Sequence, residues 1–349
     1  MGFNKGEWSE LYTFLYLLEN PNLVIVDENL QVINNTLFKI LEIILTDKKY
    51  KIQTQNIVKL LSNGQTKNYN ISDLSKKNKI LLKKILIHKS AKGSFDISEI
   101  QPLIDDFFDA QKPKGASNIK GDLTANVLDN KRNQNFNISY NIKSNLGSPA
   151  TLLNASNHTN FIYEVIGIND NIMNQCNDIQ TSNKLLDRCS FLNSCNATIN
   201  FVKTQSNTFA YNLKLIDSNL DNFLAHMLYI SYSRNIKDIQ QLISIISKNE
   251  DEINFYKKKI GDFANAVTFG MRAAEKWNGE NEVNGGIILV TKTGEIYLLD
   301  LIYYKNIVDK YLIDNIKLDS PSSTRYKMFD IYKEDNKYFL KLNLQIRFK

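Results

Sequence analysis

The sequence predicts a mixed α/β protein, α+β in its segregation of elements: a central mixed sheet flanked by helices, with further β-hairpins toward the C-terminus. Three observations predict it. Helical periodicity dominates the start of the chain, a pair of alternating strands occupies its middle, and two hairpins stand near its end. The chain is 349 residues long and 43% hydrophobic, with aromatic residues throughout, so it can bury a large core.

Taken in order, WSELYTFLYLLE (Trp8 to Glu19) carries apolar residues at helical spacing and is closed by Pro21. LVIVDENLQV follows as two short β-like runs around an Asp-Glu-Asn turn. Residues 35–47, containing TLFKILEIIL, read as a second helix, and residues 48–75 as polar text with strand-like pieces. A lysine-rich amphipathic helix is expected over 74–90 and another over 96–110, with Asp96 and Ser98 as caps. LTANVLD and FNISYNIKS alternate like paired strands joined by the Asn130–Asn135 turn. NLGSPATLLNAS reads as a loop and a short helix, and NFIYEVIG as a strand. Residues 205–250 are expected to hold a strand, TFAYNLKLID, and two helices. GGIILVTKTGEIYLLDLI is a hairpin turning at Lys292-Thr293-Gly294, and MFDIYKEDNKYFLKLNLQIRFK one turning at Glu334–Asn336. No internal repeat or clean domain boundary is visible, so residues 1–349 are expected to form a single unit. Its core would lie at about residues 1–170, and a helical and β-hairpin region at about 200–349.

Composition narrows the function. The net charge of +6 is compatible with a polyanionic partner. Cys176, Cys189 and Cys195 are odd in number and form no CxxC pair, which argues against a disulfide framework or zinc ribbon and fits a reducing cytoplasm. Three scattered histidines give little support to a Ser-His-Asp triad or a histidine-rich metal site. The start, MGFNKGEWSE, lacks the form of a signal peptide, and no apolar run approaches the length of a membrane span. No GxxxxGK[ST] loop for nucleotides occurs.

One constellation can carry chemistry. Asp122 opens the first of the paired strands, and Asn141-Ile142-Lys143 closes the second. Strand period two puts 141 and 143 on one face, so Asp122, Asn141 and Lys143 can converge. This is the pattern of a PD-(D/E)XK nuclease core, in which carboxylates hold Mg2+ and the lysine supports the attacking water. Asn141 departs from the pattern, since an amide cannot replace a carboxylate's charge. Glu10, on the first helix, is the candidate to compensate; Glu7 and Asp129 are alternatives. Spacing alone is equally met by a turn aspartate and a solvated strand-end lysine.

KGEWSELYTFLYLL, NIKSNLGSPATLLNASNHTNFIYEV, SSTRYKMFDIYKEDNKYFLKL and LKLNLQIRFK resemble the HpaII restriction endonuclease family, in long segments that keep their order. The resemblance implies a PD-(D/E)XK fold and type II, Mg2+-dependent cleavage of double-stranded DNA at CCGG, within a restriction-modification system that includes a cognate DNA methyltransferase. It matches the family's aspartate to Asp122 and its Ile-Lys-Ser to Ile142, Lys143 and Ser144. It also implies that Asn141 is a family trait; the alternative is a DNA-binding protein with a degenerate, inactive core. A palindromic site is compatible with a homodimer.

DNA contacts are expected from Ser144 and Ser148 beside the lysine, and from Asn154 and Asn160 in a polar cluster whose alternative role is to cap its own loop. Guanine readout needs donors to O6 and N7, for which Arg272, Arg325, Gln345 and Arg347 are the candidates. Each arginine could equally serve as a strand-surface ion-pair partner. The lysine run over 76–84 could touch phosphates or simply face solvent.

Overall fold

The computed structural model describes residues 2–45, 48–53, 56–88, 93–109, 121–321 and 326–349. In chain order its strands are β1 (Ile25–Val26), β2 (Val32–Asn34), β3 (Phe38–Leu45), β4 (Lys48–Gln53), β5 (Ile57–Ser62), β6 (Gln65–Asn70), β7 (Leu123–Asp129), β8 (Gln134–Ser144), β9 (Thr151–Leu153), β10 (Asn160–Ile166), β11 (Thr198–Thr204), β12 (Gly286–Val290), β13 (Ile296–Asp300), β14 (Ile316–Asp319), β15 (Tyr332–Glu334), β16 (Lys337–Asn343) and β17 (Gln345–Phe348). The helices are α1 (Lys5–Glu19), α2 (Ile71–Ile87), α3 (Gln101–Phe108), α4 (Asp170–Asp178), α5 (Lys184–Ser194), α6 (Asn207–Ile216), α7 (Leu220–Arg234), α8 (Ile239–Ile246), α9 (Glu250–Phe269) and α10 (Lys305–Asn315).

The chain divides into two compact units. The first joins Met1–Ala150 to Asn281–Tyr311, and the second joins Thr151–Glu280 to Leu312–Lys349. The hairpin β12–β13, which the sequence placed in the C-terminal region, therefore belongs with the N-terminal strands.

The first unit is built on a ten-stranded mixed sheet in the order β2-β1-β13-β12-β8-β7-β3-β4-β5-β6. The anticipated pair β7–β8 is antiparallel, with Leu123 opposite Tyr140 and Asp129 opposite Gln134. On its other side β8 runs parallel to β12, with Leu289 opposite Lys143. Thus β8 is central, and its backbone groups are committed on both edges. Gly286 makes this crowding feasible: its φ is +115°, and a Cβ there would lie 2.1 Å from the Leu299 carbonyl oxygen. Helix α1 starts from a capping box. Asn4 Oδ1 accepts from the Glu7 amide at 3.0 Å, and Glu7 Oε2 accepts from the Asn4 amide at 2.8 Å. Its face of Trp8, Leu11, Tyr12, Phe14, Leu15 and Leu18 is buried in one hydrophobic cluster with the sheet residues Ile40, Ile43, Tyr50, Ala125 and Val127. The Trp8 indole donates to the Phe95 carbonyl at 3.0 Å.

The second unit holds a four-stranded antiparallel sheet, β11-β10-β16-β15, and a three-stranded one, β14-β17-β9, with α4–α9. The β15–β16 turn sits at Asp335-Asn336, both with positive φ (47° and 62°), as a tight hairpin requires. Arg188 is fully buried and donates to the Phe329 carbonyl at 2.9 Å and to Asp330 Oδ1 at 2.6 Å.

Four local expectations change. Residues 38–45 form β3 rather than a helix. A register shift between Ile40 and Glu42, where β3 meets β7, breaks strict alternation, so the buried residues Phe38, Ile40, Ile43 and Leu45 mimic a helical stripe. TFAYNLKLID is helix α6 rather than a strand: the Ser206 hydroxyl caps it, and Phe209, Asn212 and Leu213 form its buried face. Helix α3 begins at Gln101 and is not capped by Asp96 or Ser98; Ile100 precedes it without a side-chain cap. The short helix expected near 150–156 is instead β9 followed by a single 3-10 turn, Asn157–Thr159.

Candidate active site

The site lies wholly in the first unit, where the end of β8 meets the first turns of α1. The Asp122 amide donates to the Tyr140 carbonyl at 2.9 Å, and its Oδ2 accepts from the Ile142 amide at 2.7 Å. The carboxylate is thereby pinned to the β8 backbone one residue from Lys143. Its other oxygen makes no hydrogen bond to any described residue. Lys143 is half-buried, and its ammonium makes no hydrogen bond or ion pair among the described residues.

The next residue ties strand to helix. Ser144 Oγ accepts from the Leu146 amide at 3.1 Å and donates to Ser9 Oγ at 2.9 Å. Ser9 Oγ in turn donates to the Lys5 carbonyl at 2.7 Å. A relay of hydroxyls thus holds α1 against the end of β8 and brings Glu10, the residue after Ser9, to the same place. Lys5, Glu10, Asp122, Lys143, Ser144 and Ser148 line one open cleft of about 310 Å3. Gly147 lets the loop after β8 lie on α1, since a Cβ there would sit 3.1 Å from Lys5 Cβ.

Asn141 is a different matter. The β8–β12 register is unbroken from Asn141, opposite Ile287, to Lys143, opposite Leu289, so the two share a strand face as alternation suggested; Asn141, however, is 3% exposed and is not among the residues lining the cleft. The second carboxylate of the cleft is Glu10. The alternatives recede: Glu7 serves the α1 capping box, and Asp129 stands at the far end of β7, about 20 Å from Asp122 at the usual strand rise. Asp129 is buried there and accepts from the Tyr303 hydroxyl at 2.6 Å.

Among the described residues no group of three or more His, Cys, Asp and Glu side chains comes together. Two carboxylates facing one open cleft nonetheless fit magnesium, which takes hard oxygen ligands and is commonly held by one or two carboxylates, with water and phosphate oxygens completing its shell.

The expected DNA contacts fare unevenly. Ser148 and Asn154 are exposed, and Ser148 lines the cleft. Asn160 is 2% exposed; its amide donates to Gln205 at 3.0 Å and its oxygen accepts from Asn343 at 2.6 Å, so it closes a buried amide network between β10 and β16 instead of facing solvent. Arg347 donates to Thr151 at 3.1 Å and pairs with Asp319 at 3.4 Å within the β14-β17-β9 sheet, and Gln345 is half-buried on the same strand. Arg272 is half-buried and pairs with Glu275 at 3.5 Å. Arg325 lies outside the described residues. Lys5 and Ser9 were not anticipated as site residues. The readable signal was the Asn4–Glu7 capping box, which fixes Lys5 as the first residue of α1.

The family model for HpaII restriction endonuclease matches residues 4–348. The chain is 34% identical to the type II restriction enzyme HpaII of Haemophilus parainfluenzae over 361 aligned positions, covering 99% of this chain and 98% of that enzyme. No solved structure matches it. A match of this extent places the chain among the type II restriction endonucleases. It belongs to the HpaII restriction endonuclease family. No helix among the described residues is long and apolar enough to cross a membrane.

Proposed function

We propose that the enzyme hydrolyses both strands of duplex DNA at CCGG in a magnesium-dependent reaction, through a PD-(D/E)XK-type centre made of Asp122, Glu10 and Lys143. One observation carries this reading: an ammonium with no partner among the described residues, Lys143, shares a cleft with two carboxylates from different elements. An unpaired half-buried charge costs stability unless a ligand compensates it, and a phosphodiester does so.

Asp122 and Glu10 would hold the metal. Magnesium, when bound, lowers the pKa of a coordinated water and neutralises charge on the phosphoryl oxygens. Lys143 hydrogen-bonds the attacking water and the non-bridging oxygen nearest it. A new P–O bond to water forms as the bond to the 3′ oxygen breaks, leaving a 5′-phosphate and a 3′-hydroxyl. The Asp122–Ile142 hydrogen bond keeps the carboxylate in register with Lys143, so the centre is organised before substrate arrives. The second unit, which carries Asn154, Arg272, Gln345 and Arg347, is the proposed source of base readout. A palindromic target suits a two-fold homodimer, and a cognate methyltransferase would protect the host's own sites.

Digestion of a CCGG-containing plasmid with and without EDTA tests the reading, with the product ends sequenced. Discrete fragments that require magnesium and end at CCGG are expected. Unimpaired cleavage by Lys143→Ala, in a variant that melts like the wild type, would overturn the assigned centre.

A further inference from the structure

We propose that Lys5 is a second phosphate-binding cation of the cleft, an anchoring residue that holds the DNA backbone beside the metal centre; this rests on the reading of the cleft as the nuclease site. The first ground is its lack of an acidic partner. The lysines buried elsewhere among the described residues each reach a carboxylate: Lys48 pairs with Asp109 at 2.7 Å, Lys184 with Asp330 at 3.5 Å and Lys259 with Asp217 at 2.5 Å. Lys5 is less deeply buried than these and, like Lys143 in the same cleft, has no ion pair among the described residues. Among the described residues its ammonium makes one hydrogen bond, from Nζ to the Leu146 carbonyl at 3.4 Å, long for an ammonium donor and readily exchanged for a phosphate oxygen.

The second ground is that its position is specified. The Asn4–Glu7 capping box fixes the first turn of α1, and the Ser144–Ser9–Lys5 relay ties the Lys5 backbone to the residue after Lys143. The Lys5 stem lies against Gly147, where any larger residue would displace it. The third ground is charge. Among the cleft residues, Lys5 and Lys143 are balanced by Glu10 and Asp122. Once a divalent cation occupies the carboxylates, the cleft carries two excess positive charges, more than one phosphodiester neutralises. Lys5 and Lys143 can therefore serve two successive phosphates.

The test separates binding from cleavage. A fluorescent CCGG duplex is titrated with enzyme in EDTA over a range of salt concentrations, for the wild type, Lys5→Met and Lys5→Arg. Methionine keeps the stem over Gly147 and removes only the charge. A phosphate contact predicts that Lys5→Met raises Kd several-fold at low salt and makes the slope of log K against log salt shallower by about 0.9, the contribution of one neutralised phosphate in B-DNA. Lys5→Arg should restore the slope. An unchanged slope in a Lys5→Met protein that melts like the wild type overturns the proposal, as does a slope that Lys5→Arg fails to restore. Normal cleavage by Lys143→Ala would instead remove the nuclease assignment on its own, whatever Lys5→Met does to the slope.

Discussion

Glu10 lines the cleft with Asp122 and Lys143, whereas Asn141 does not. Asn141 shares the strand face of Lys143 but is 3% exposed and does not line the cleft, and the carboxylate that does so beside Asp122 comes from a helix more than a hundred residues earlier. The sequence showed the gap, because an amide where a charge is needed is visible in the letters. It could not show that Glu10 lies in the same cleft, because no spacing rule links residue 10 to residue 143. Glu10→Gln keeps size and hydrogen-bonding capacity and removes the charge. It should lower magnesium-dependent cleavage by about a hundredfold or more, the scale seen when one charge-stabilising group is removed from an active site, without moving the unfolding midpoint. Cleavage at the wild-type rate would overturn the proposed part of Glu10 in holding magnesium. A second residue-scale outcome concerns Asp300, which is fully buried and accepts from the Ile302 and Tyr303 amides at 3.1 and 2.9 Å. Burial pushes its carboxyl up to about 6, with the charge of Asp129 adding to the shift. A carboxyl raised in the folded state retains a proton that the unfolded chain has lost, so the contribution of Asp300 to stability is greatest below about pH 4 and falls as the pH rises to about 6. At 1.36 kcal/mol per pKa unit the change is on the order of 2–3 kcal/mol. Urea midpoints of wild type and Asp300→Asn, compared from pH 4 to 7, should show the difference between them shifting by this amount in the variant's favour. A constant difference would mean that Asp300 is ionised throughout.

At the scale of elements, legibility followed how local the determining interactions are. Helix α1, the pair β7–β8 and both late hairpins could be read because caps, alternation and turn residues lie within a few positions of one another. Strand β3 and helix α6 could not. The first has its periodicity broken by a bulge that exists only against β7, and the second is rich in the aromatic and apolar residues that favour strands, yet is settled by a serine cap and its tertiary packing. The parallel pairing of β8 with β12 was equally hidden, since nothing near Lys143 announces a partner drawn from residues 286–290. The consecutive glycines at the start of β12 were a clue whose meaning needed the sheet. A Cβ on Gly285 would lie 2.4 Å from both the Tyr140 ring and Ile138 Cγ2, and Gly286 cannot carry one without meeting the Leu299 carbonyl. Because Tyr140 is itself fully buried and its carbonyl receives the Asp122 amide, crowding here is transmitted to the site. Gly285→Ala should destabilise the protein by about 1–3 kcal/mol, the usual cost of overpacking, and should depress cleavage more than its loss of stability explains. A wild-type melting temperature together with wild-type activity would show that β8 and β12 can move apart enough to admit a methyl group at no cost.

The whole molecule departs most from its linear reading. The linear sequence points to a catalytic core within roughly the first 170 residues, because Asp122, Lys143 and Glu10 all lie there. The unit that holds them is discontinuous, however, and takes Asn281–Tyr311 from beyond Thr151–Glu280, the first stretch of the second unit. That return segment supplies β12, which closes one edge of β8 from Gly286 opposite Tyr140 to Val290 opposite Ser144, and β13, which pairs with β1. It also buries Val283, Ile287, Ile288, Leu289, Val290, Ile296, Leu298 and Leu299. At about 1.5–3 kcal/mol for each large apolar side chain removed from water, their loss exceeds the net stability of an ordinary domain. It would also leave the β8 amides and carbonyls that face β12 without partners, in the strand that presents Lys143. A fragment of residues 1–150 should therefore show no cooperative thermal transition and no nuclease activity, although it contains every residue assigned to the metal centre. The same fragment joined by a flexible Gly/Ser linker to residues 281–311 should regain a cooperative transition, because the complete ten-stranded sheet is then present. Lacking the second unit, it should cut weakly and without sequence preference if base readout resides there. Circular dichroism melts and plasmid digestion of the two fragments decide the matter: a cooperative transition in residues 1–150 alone would show that the sheet is stable without its parallel strand, and CCGG-specific cutting by the linked fragment would move base readout into the first unit.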